Sequence, residues 1–531
     1  MTRTEYQHRR PHGHGHRRGF AALAAAGFLA LAAATTAAAA PVGVPINTPA
    51  PAPGTIASWG DNIRQQVTDT PAGSDFTAVA GGYAHSVALT ADRTIISWGD
   101  DANQQVTNTP TGSNFTAVAA GRDYSVALKT DGTIVSWGYD DDGQVTDTPT
   151  GSGFTAVAAG TRHSVALKSD GTIASWGNNG NQQVTGTPTG SGFTAVAAGG
   201  DHSVALKADG TIASWGEDGQ QQVTDTPTGS NFTAVAAGRL YSVALTVDGT
   251  IVSWGFDGNF QVRNTPAGSG FTAVAAGSGH SVALKSDGTI ASWGNNGNQQ
   301  VTNTPAGSGF TAVAAGGFHS VALKKATAPA FTDAGPVTLN GIAGTPLTRE
   351  FTVTGNPAPT LTATELPAGL TLNPTTGALT GTPTATGSFP FTITADNGVG
   401  TPATLTVTLT VAAAPAAPIF TDAGPVTLNG IAGTPLTREF TVTGNPTPTV
   451  TVVDAALLPT GMTFTDGVLS GTPTVAGTYT FVLRAANGVD PDLTLTVTVV
   501  VAAAPPVVDP PATGSLGSLG SLGSSSFSFG S

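Results

Sequence analysis

Short apolar runs alternate with turn residues along most of the chain, and one run recurs at a fixed interval. Its clearest copy, beginning at Ser152, reads SGFTAVAAGTRHSVALKSDGTIASWGNNGNQQVTGTPTG. The seven tryptophans all occupy one position of this run, with a constant step of 39 residues: Trp59, Trp98, Trp137, Trp176, Trp215, Trp254 and Trp293. Repeats of about 20–50 residues are typical of solenoids and propellers, because each unit buries its apolar face only against its neighbours.

Within one repeat the pattern predicts four short strands separated by turns. In the copy quoted above they are Phe154–Ala158, Ser164–Lys168, Thr172–Trp176 and Gln183–Thr185. Asp-Gly between the second and third strands is a hairpin signal. A four-stranded unit of about 40 residues has the size of a propeller blade.

The two ends of the repeat region complete each other. The region begins within a unit at Gly54 and ends within a unit at Lys325, just before the segment with which it began. Complementary ends can pair in one sheet and leave no unpaired edge. We therefore predict an all-β fold in which residues 54–325 form a closed seven-bladed β-propeller.

After Ala330 the period changes. The segment FTDAGPVTLNGIAGTPLTREFTVTGNP occurs at Phe331 and again, unchanged, at Phe420. Each copy is followed by alternating apolar and polar residues, as in Phe389–Thr394 and Tyr479–Arg484. Several short strands within fewer than about 100 residues favour a β-sandwich. Two tandem Ig-like β-sandwiches are therefore predicted, at residues 329–412 and 418–502, joined by an extended linker at Ala412–Pro418.

The two ends of the chain have a different composition. Residues 1–40 combine a basic start, an apolar run from Phe20 and small residues, which predicts an export signal peptide. Residues 41–53 form a proline-rich linker, and residues 503–531 a low-complexity tail that is predicted to be disordered. No later apolar run reaches the ~18 residues that a membrane-spanning helix needs. We expect a secreted or cell-surface protein.

Composition and charge argue against several functional classes. The chain has no cysteine, so an exported form would fold without disulfides. Its formal net charge of −13 repels phosphate backbones and argues against a nucleic-acid partner. No serine–histidine–acid set or carboxylate pair stands out from its equivalents in the other repeats, so we expect no enzymatic activity.

Positions that stay the same in the repeats are attributed to packing. The tryptophans are expected to fill the gaps between blades. At another position histidine alternates with tyrosine: His85, Tyr124, His163, His202, Tyr241, His280 and His319. A metal site would not accept tyrosine for histidine so freely, whereas a loop-bracing hydrogen bond would.

Positions that differ among the repeats fall on two loops of each unit, one between the first and second strands and one between the third and fourth. Because strand direction alternates, both loops emerge on one face, here called the variable face. Binding residues concentrate on loops held by rigid scaffolds. The candidate partner-binding residues are therefore Tyr83, Arg122, Asp123, Tyr139, Asp140, Arg162, Asp201, Glu217, Arg239, Leu240, Phe256 and Phe318. The alternative is that these loop positions vary by unselected sequence drift on a surface that tolerates substitution.

Acidic residues gather on the variable face and are interpreted as a solvated rim. Asp140-Asp141-Asp142-Gly143 suggests calcium, but it lacks the ligand spacing of a calcium loop. No metal or other cofactor is expected in the repeat region.

The pattern AAG-x-x-HS-x-AL-x-x-DG-x-x-x-x-WG resembles the regulator-of-chromosome-condensation repeat. The short, insertion-free form is similar to exported bacterial propellers of the β-lactamase inhibitory protein II type. For the eukaryotic namesake, the resemblance implies nucleotide exchange on a small nuclear GTPase, against which export and acidity argue. For the inhibitor type, it implies that aromatic residues in the variable loops, such as Tyr83, Tyr139, Phe256 and Phe318, grip a target enzyme.

The C-terminal copies resemble the Ig-like, cadherin-like modules of bacterial surface proteins, without the cysteine pair and core tryptophan of antibody domains. Modules of this kind act as spacers or adhesive stalks. Relatives of cadherin type bind calcium between domains. The acids available here are Asp333, Asp396 and Asp422, which form no recognisable ligand cluster.

The sequence therefore predicts a bacterial, secreted or cell-surface, non-enzymatic protein that binds a protein or glycan through the variable face. The partner itself is unknown. One alternative is a proteinaceous inhibitor of a secreted or cell-wall hydrolase. A second alternative is a polysaccharide-active propeller enzyme.

Overall fold

The computed structural model describes residues 53–506 and the two-residue strand Ala37–Ala38. The predicted signal peptide and proline-rich linker lie outside the described residues apart from that strand and residue 53, and so does the tail after residue 506. The described chain is all-β, and its helical content is a three-residue 3-10 turn at Ala455–Leu457. It divides into two compact units, the first of which contains the repeats through Ala328.

The strands of the repeat region are short and evenly spaced, and the two-residue strand Ala37–Ala38 precedes them. They are β1 (Ala37–Ala38), β2 (Gly54–Gly60), β3 (Phe76–Gly81), β4 (His85–Thr90), β5 (Ile95–Gly99), β6 (Phe115–Ala120), β7 (Tyr124–Lys129), β8 (Ile134–Gly138), β9 (Phe154–Ala159), β10 (His163–Lys168), β11 (Ile173–Gly177), β12 (Phe193–Ala198), β13 (His202–Lys207), β14 (Ile212–Gly216), β15 (Phe232–Ala237), β16 (Tyr241–Thr246), β17 (Ile251–Gly255), β18 (Phe271–Ala276), β19 (His280–Lys285), β20 (Ile290–Gly294), β21 (Phe310–Ala315) and β22 (His319–Lys325).

Each repeat forms a three-stranded antiparallel sheet of the kind that builds propeller blades. The sheets are β3–β4–β5, β6–β7–β8, β9–β10–β11, β12–β13–β14, β15–β16–β17 and β18–β19–β20. The same arrangement is assembled from the two ends of the region, where β22 lies between β21 and β2. There β2 pairs antiparallel with β22 from Gly54↔Lys325 to Gly60↔His319.

Neighbouring sheets pack face to face, which explains why the middle strand of each sheet is buried on both sides. In β10, Val165 and Ala166 are fully buried. Trp176 lies between its own sheet and the preceding one, in a cluster with Val126 and Leu128. The prediction that the tryptophans fill the gaps between blades is confirmed by these contacts.

The fourth predicted strand is wrong. Gln183–Thr185 lies in a turn that follows β11, and Gln182 before it has a left-handed backbone (φ 64°). The reason is local hydrogen bonding: the Asn179 side-chain oxygen accepts from the backbone N–H groups of Val184 and Thr185 at 3.0 and 2.9 Å. These N–H groups would otherwise be available to a sheet.

A further series of strands follows the repeat region. They are β23 (Thr327–Phe331), β24 (Val337–Ile342), β25 (Leu347–Glu350), β26 (Val353–Asn356), β27 (Thr360–Thr364), β28 (Leu370–Leu372), β29 (Ala378–Gly381), β30 (Gly387–Asp396), β31 (Ala403–Ala412), β32 (Ala416–Phe420), β33 (Val426–Ile431), β34 (Leu436–Glu439), β35 (Val442–Asn445), β36 (Thr449–Val452), β37 (Met462–Thr465), β38 (Val468–Gly471), β39 (Gly477–Ala486) and β40 (Leu493–Ala502).

These strands form an Ig-like arrangement around an apolar core. The four-stranded sheet β24–β31–β30–β27 and the three-stranded sheet β25–β29–β28 share a core that includes Phe351, Leu379 and Leu409. Along β31 the threonines alternate with buried leucine and valine, so the apolar set faces one side. The same strand order recurs in β32–β40. β32 begins at Ala416, inside the segment that was expected to be a linker.

No helix among the described residues is long and apolar enough to cross a membrane.

Candidate functional site

The two variable loops of each repeat are hydrogen-bonded to each other. The backbone N–H of Phe256, at the start of a second loop, donates to the carbonyl of Leu240 in the first loop at 3.0 Å. Asp100 donates to Ala84 at 3.0 Å in the same way. These bonds confirm that both loops of a repeat lie at the same end of its sheet.

A fully buried glutamine organises each second loop. It occurs as Gln66, Gln105, Gln144, Gln183, Gln222, Gln261 and Gln300. In the copy at Gln183, Oε1 accepts from the backbone N–H of Asn181 at 2.7 Å, and Nε2 donates to Asn178 Oδ1 at 3.0 Å. Its backbone carbonyl accepts from Trp215 Nε1 of the next repeat at 3.0 Å. The alternation of residue types predicted a strand for this glutamine, although its constant spacing from the tryptophan already distinguished the position.

A second polar position caps the same turn. It is occupied by Asn62, Asp101, Asp140, Asn179, Asp218, Asp257 and Asn296. Asp140 Oδ1 accepts from the backbone N–H groups of Val145 and Thr146 at 2.7 and 2.9 Å. The Thr224 hydroxyl and backbone N–H hold the pKa of the equivalent Asp218 carboxyl below its usual value. These acids remain accessible to solvent, with Asp101 and Asp218 exposed, and in addition each holds its own turn together.

At two repeats an aromatic side chain replaces the acceptor of the buried glutamine. Asp61, Asp100, Asn178, Glu217 and Asn295 accept from glutamine Nε2 in five repeats, and Glu217 does so at 3.3 Å. Tyr139 and Phe256 occupy this position in the other two. The buried Nε2 atoms of Gln144 and Gln261 have no hydrogen-bond partner within residues 53–506.

Four predicted site residues from three repeats come together on the variable face. The rings of Tyr83 and Phe318 meet edge to face, with centroids 5.6 Å apart. The Arg122 guanidinium lies 5.5 Å from the Tyr83 ring centroid, and its Nε is 3.2 Å from Asp123 Oδ2. Burial raises the pKa of the Asp123 carboxyl, and the charge of Arg122 opposes this effect. Tyr83 remains 40% exposed. We call these four residues the aromatic cluster.

The remaining predicted residues are distributed over other repeats. Arg162 Nε lies 3.8 Å from Asp142 Oδ2. Asp201 Oδ1 accepts from Gln183 Nε2 at 3.3 Å, so this carboxylate supports a buried side chain. Arg239 is exposed and Leu240 is half-buried.

Three prominent side chains of the variable face were missed. Ile63 is 82% exposed and Phe260 is 49% exposed. Phe260 has φ 63°, at a position where the other repeats carry glutamine or glycine. Arg263 lies 4.8 Å above the Phe260 ring, and its Nε is 2.6 Å from Asp257 Oδ2. The sequence signal that could have identified these residues is that each differs from the residue types found at its position in the other repeats.

The alternating histidine and tyrosine join neighbouring repeats instead of bracing a loop. His163 is fully buried, and its Nε2 is hydrogen-bonded to Ser203 Oγ of the next repeat at 2.7 Å. Tyr124 makes the equivalent contact with Ser164 Oγ at 2.9 Å. Burial lowers the pKa of His163 to about 3 and that of His85 to about 4. The described residues contain no group of three or more histidines and acids that could hold a metal ion.

In the Ig-like unit, two of the three acids considered for calcium are ion-paired. Arg349 Nη2 lies 2.5 Å from Asp333 Oδ1, and Arg438 Nη2 lies 2.5 Å from Asp422 Oδ1. Both carboxylates are thereby neutralised by a neighbouring guanidinium.

Comparison with known proteins agrees with these features. The model of the "Regulator of chromosome condensation (RCC1) repeat" matches residues 76–105, 115–144, 154–183, 193–222 and 271–300. The model described as "Putative Ig domain" matches residues 319–412. No curated protein matches the chain.

Several solved structures are similar to part of the chain. Prp20p from Saccharomyces cerevisiae is 21% identical over 52% of this chain and 92% of its own, with a TM-score of 0.44. The ectodomain of the receptor kinase CR4 from Physcomitrella patens is 22% identical over 45% of this chain and 66% of its own, with a TM-score of 0.40. Human WBSCR16 is 18% identical over 51% of this chain and 99% of its own, with a TM-score of 0.43.

The family matches and the blade-like sheets lead to one conclusion. The chain carries regulator-of-chromosome-condensation repeats in its N-terminal part and an Ig-like domain after them.

Proposed function

We propose that this chain is an exported, non-enzymatic protein that binds a protein partner through the variable face of a closed, seven-bladed propeller. Two tandem Ig-like domains serve as spacers. The matched families favour a protein-binding role, since regulator-of-chromosome-condensation propellers bind proteins. Export by the predicted signal peptide of residues 1–40 is part of this proposal.

Contacts between the two ends of the repeat region support closure. His319 Nε2 is 2.7 Å from Ser86 Oγ, the same contact that joins successive repeats. The backbone N–H of Gly317 donates to the carbonyl of Gly82 at 2.9 Å. Because these contacts equal those between consecutive repeats, all variable loops would share one face.

The observation that carries the binding proposal is the aromatic cluster. Exposed aromatic and arginine side chains are the residues that dominate the energetics of protein interfaces. Here Phe318, Tyr83 and Arg122 come from three different repeats and pack into one patch. Independent drift of separate loops would leave such residues scattered.

Two further observations support the remaining parts of the proposal. The repeated histidines and several of the loop acids are engaged in structural hydrogen bonds, which supports a non-enzymatic role. The second Ig-like domain is supported by the strand order of β32–β40, which repeats that of β23–β31.

Affinity capture with residues 41–531 tests the proposal. The bait would be exposed to culture medium and cell envelopes. A second bait would carry Tyr83→Ala, Arg122→Ala and Phe318→Ala. A third would carry Val247→Ala, a 74% exposed residue in a hairpin at the opposite end of the sheets. We expect the first and third baits to retain a protein that the second loses. Equal recovery by all three baits would overturn the assignment to the variable face.

Inhibition of a secreted hydrolase is a narrower form of the same function, favoured by the exposed ring of Tyr83 and the half-buried ring of Phe318 in the cluster. It predicts that the purified chain inhibits β-lactamase or transpeptidase activity, and that the triple alanine variant does not. Unchanged hydrolase activity would remove this alternative while leaving the capture experiment informative.

A further inference from the structure

One turn of the variable face departs from the repeat at three positions at once. Where the repeat ending at Asn303 reads WGNNGNQQVTN, the turn after Trp254 reads WGFDGNFQVRN. The fourth difference between these two copies, Asp257, is a residue type that three other repeats share. The substitutions place Phe256, Phe260 and Arg263 within one turn.

Phe256 replaces a residue that suits the turn better, and Phe260 presents an aromatic ring where the other repeats carry glutamine or glycine. Phe256 removes the acceptor that asparagine or an acid supplies elsewhere, and the buried Gln261 Nε2 is left without a partner within the described chain. Phe260 has φ 63°, the left-handed conformation that glutamine adopts at this position in five other repeats (φ 61–64°), and it exposes 49% of an aromatic side chain there. A turn that gives up a buried hydrogen bond and exposes an aromatic ring is a candidate for a functional role.

The three side chains form an organised surface. The Arg263 guanidinium lies over the Phe260 ring at 4.8 Å, and its Nε is held by Asp257 at 2.6 Å. The Phe256 ring covers Gly258, where an added Cβ would lie 2.2 Å from Phe256 Cζ.

The first loop of the same repeat extends this surface. Leu240 accepts the backbone hydrogen bond of Phe256, so the two loops are adjacent. Arg239 beside it is exposed and has no salt bridge within residues 53–506. Two arginines and one aspartate give this repeat a net positive patch. The neighbouring repeat instead carries Asp201, Glu217 and Asp218 on the same loops.

We propose that Arg239, Leu240, Phe256, Phe260 and Arg263, together called the Phe260 site, dock an acidic segment of a protein partner that also presents an apolar side chain. The apolar side chain would pack on Phe260 and Leu240, and a carboxylate would pair with Arg239. The inference rests on the proposed protein-binding function and names a second subsite of the same face, apart from the aromatic cluster.

A random-peptide library displayed on phage tests this inference with the full chain as bait. The matched variant is Phe256→Asn/Phe260→Gln/Arg263→Thr, whose turn has the residue types already present in other repeats and will therefore fold. A second variant, Arg239→Glu, reverses one exposed charge. We expect the unmodified chain to enrich peptides in which aspartate or glutamate adjoins an aromatic or aliphatic residue. Synthetic copies of these peptides should bind each variant at least about tenfold more weakly.

Peptides that bind both variants as well as the unmodified chain, enrichment of basic peptides, or no enrichment at all would overturn the Phe260 site. Failure here is distinguishable from failure of the proposed function. A partner captured through the aromatic cluster, and retained by the restored-turn variant, would leave the general function standing and remove this subsite alone.

Discussion

The indole Nε1 of Trp59 donates a hydrogen bond to the backbone carbonyl of Gln300 at 2.9 Å, across 241 residues of chain. In the rest of the repeat region the same bond joins residues only 32 apart, as between Trp176 and Gln144 at 3.0 Å. The first and last parts of the repeat region are therefore joined by the same tryptophan–glutamine hydrogen bond that joins each repeat to the next.

Removing the Trp59–Gln300 hydrogen bond should lower the free energy of unfolding as much as removing the equivalent bond between two consecutive repeats. Trp59→Phe leaves the buried Gln300 carbonyl without its donor, and loss of such a partner costs about 1–3 kcal/mol. Trp176→Phe is the matched control within consecutive repeats. We expect equal losses in the free energy of unfolding, measured by urea denaturation. A full loss in the control without any loss for Trp59→Phe would contradict closure.

The strands and their packing could be predicted because their signals are local and repeated. Phe154 opens a strand, Asp170-Gly171 marks a hairpin, and Trp176 recurs at a fixed step. The fourth segment was misassigned because its conformation depends on side chains: Asn179 captures two backbone N–H groups, and Gln183 bonds with Trp215 of the next repeat. Propensity and alternation alone carry no information about such partners.

The candidate site could be predicted only in part, because contacts between repeats cannot be read from the pattern. Comparison among the repeats located the variable loops, and Tyr83 and Phe318 meet there. Which loops touch across repeats depends on geometry that the pattern does not contain. Asp140 was selected because it lies in a variable loop, although it caps its own turn as asparagine does in other repeats. Phe260 was overlooked because it lies later in the second loop than the positions that were compared, in a left-handed turn whose course the pattern does not reveal.

Restoring the glutamine partner should stabilise the protein. In Phe256→Asn the new side chain can accept from Gln261 Nε2, as Asn178 does from Gln183 at 3.0 Å. We expect the free energy of unfolding to rise by about 1 kcal/mol, the net value of a typical hydrogen bond. The reverse change, Asn178→Phe, should lower it by at least as much, because Asn178 also donates to Asp142 and accepts from the backbone N–H of Gly180. A destabilised Phe256→Asn protein would show that the ring contributes more than the missing bond.

The cap at Asp140 should depend on its oxygen and not on its charge. Asp140→Asn keeps an acceptor for the Val145 and Thr146 N–H groups, and we expect the melting temperature to stay nearly unchanged. Asp140→Ala removes the acceptor and should cost about 1–2 kcal/mol, like other side-chain caps of backbone N–H groups. Calorimetry of both variants checks this prediction. Equal melting temperatures for the alanine variant and the unmodified chain would instead assign Asp140 to the solvent-facing surface.

The buried histidines should make the fold sensitive to acid. Burial lowers the pKa of His163 from 6.5 to about 3 and that of His85 to about 4. Below pH 6.5 the unfolded chain binds protons that the folded chain does not, so stability decreases as the pH falls from 6.5 towards 4. Each such histidine contributes up to about 1.4 kcal/mol per pH unit in this window.

His163→Tyr provides the matched test, because tyrosine already occupies this position as Tyr124 and Tyr241. The variant should fold and should lose less stability than the unmodified chain between neutral pH and pH 4. Urea midpoints at several pH values measure the slope. Identical slopes would mean that His163 accepts a proton in the folded state at its ordinary pKa.

Calcium should have no effect on the Ig-like unit. Asp333 and Asp422 are each paired with an arginine at 2.5 Å, and a cation would have to displace that guanidinium. We expect the same melting temperature for the full chain in excess calcium and in EDTA. A calcium-dependent rise that is lost in Asp333→Asn would contradict this expectation.

The common face of the loops depends on the pairing of the first and last strands, and a cysteine cross-link tests that pairing directly. The chain contains no cysteine, so a pair introduced as Thr55→Cys and Lys324→Cys, which face each other in β2 and β22, has no competitor. Mild oxidation followed by thiol counting and non-reducing electrophoresis is the measurement. We predict a monomeric, intramolecular disulfide with no free thiol. Two free thiols, or disulfide-linked dimers in their place, would contradict the closed ring on which the shared binding face rests.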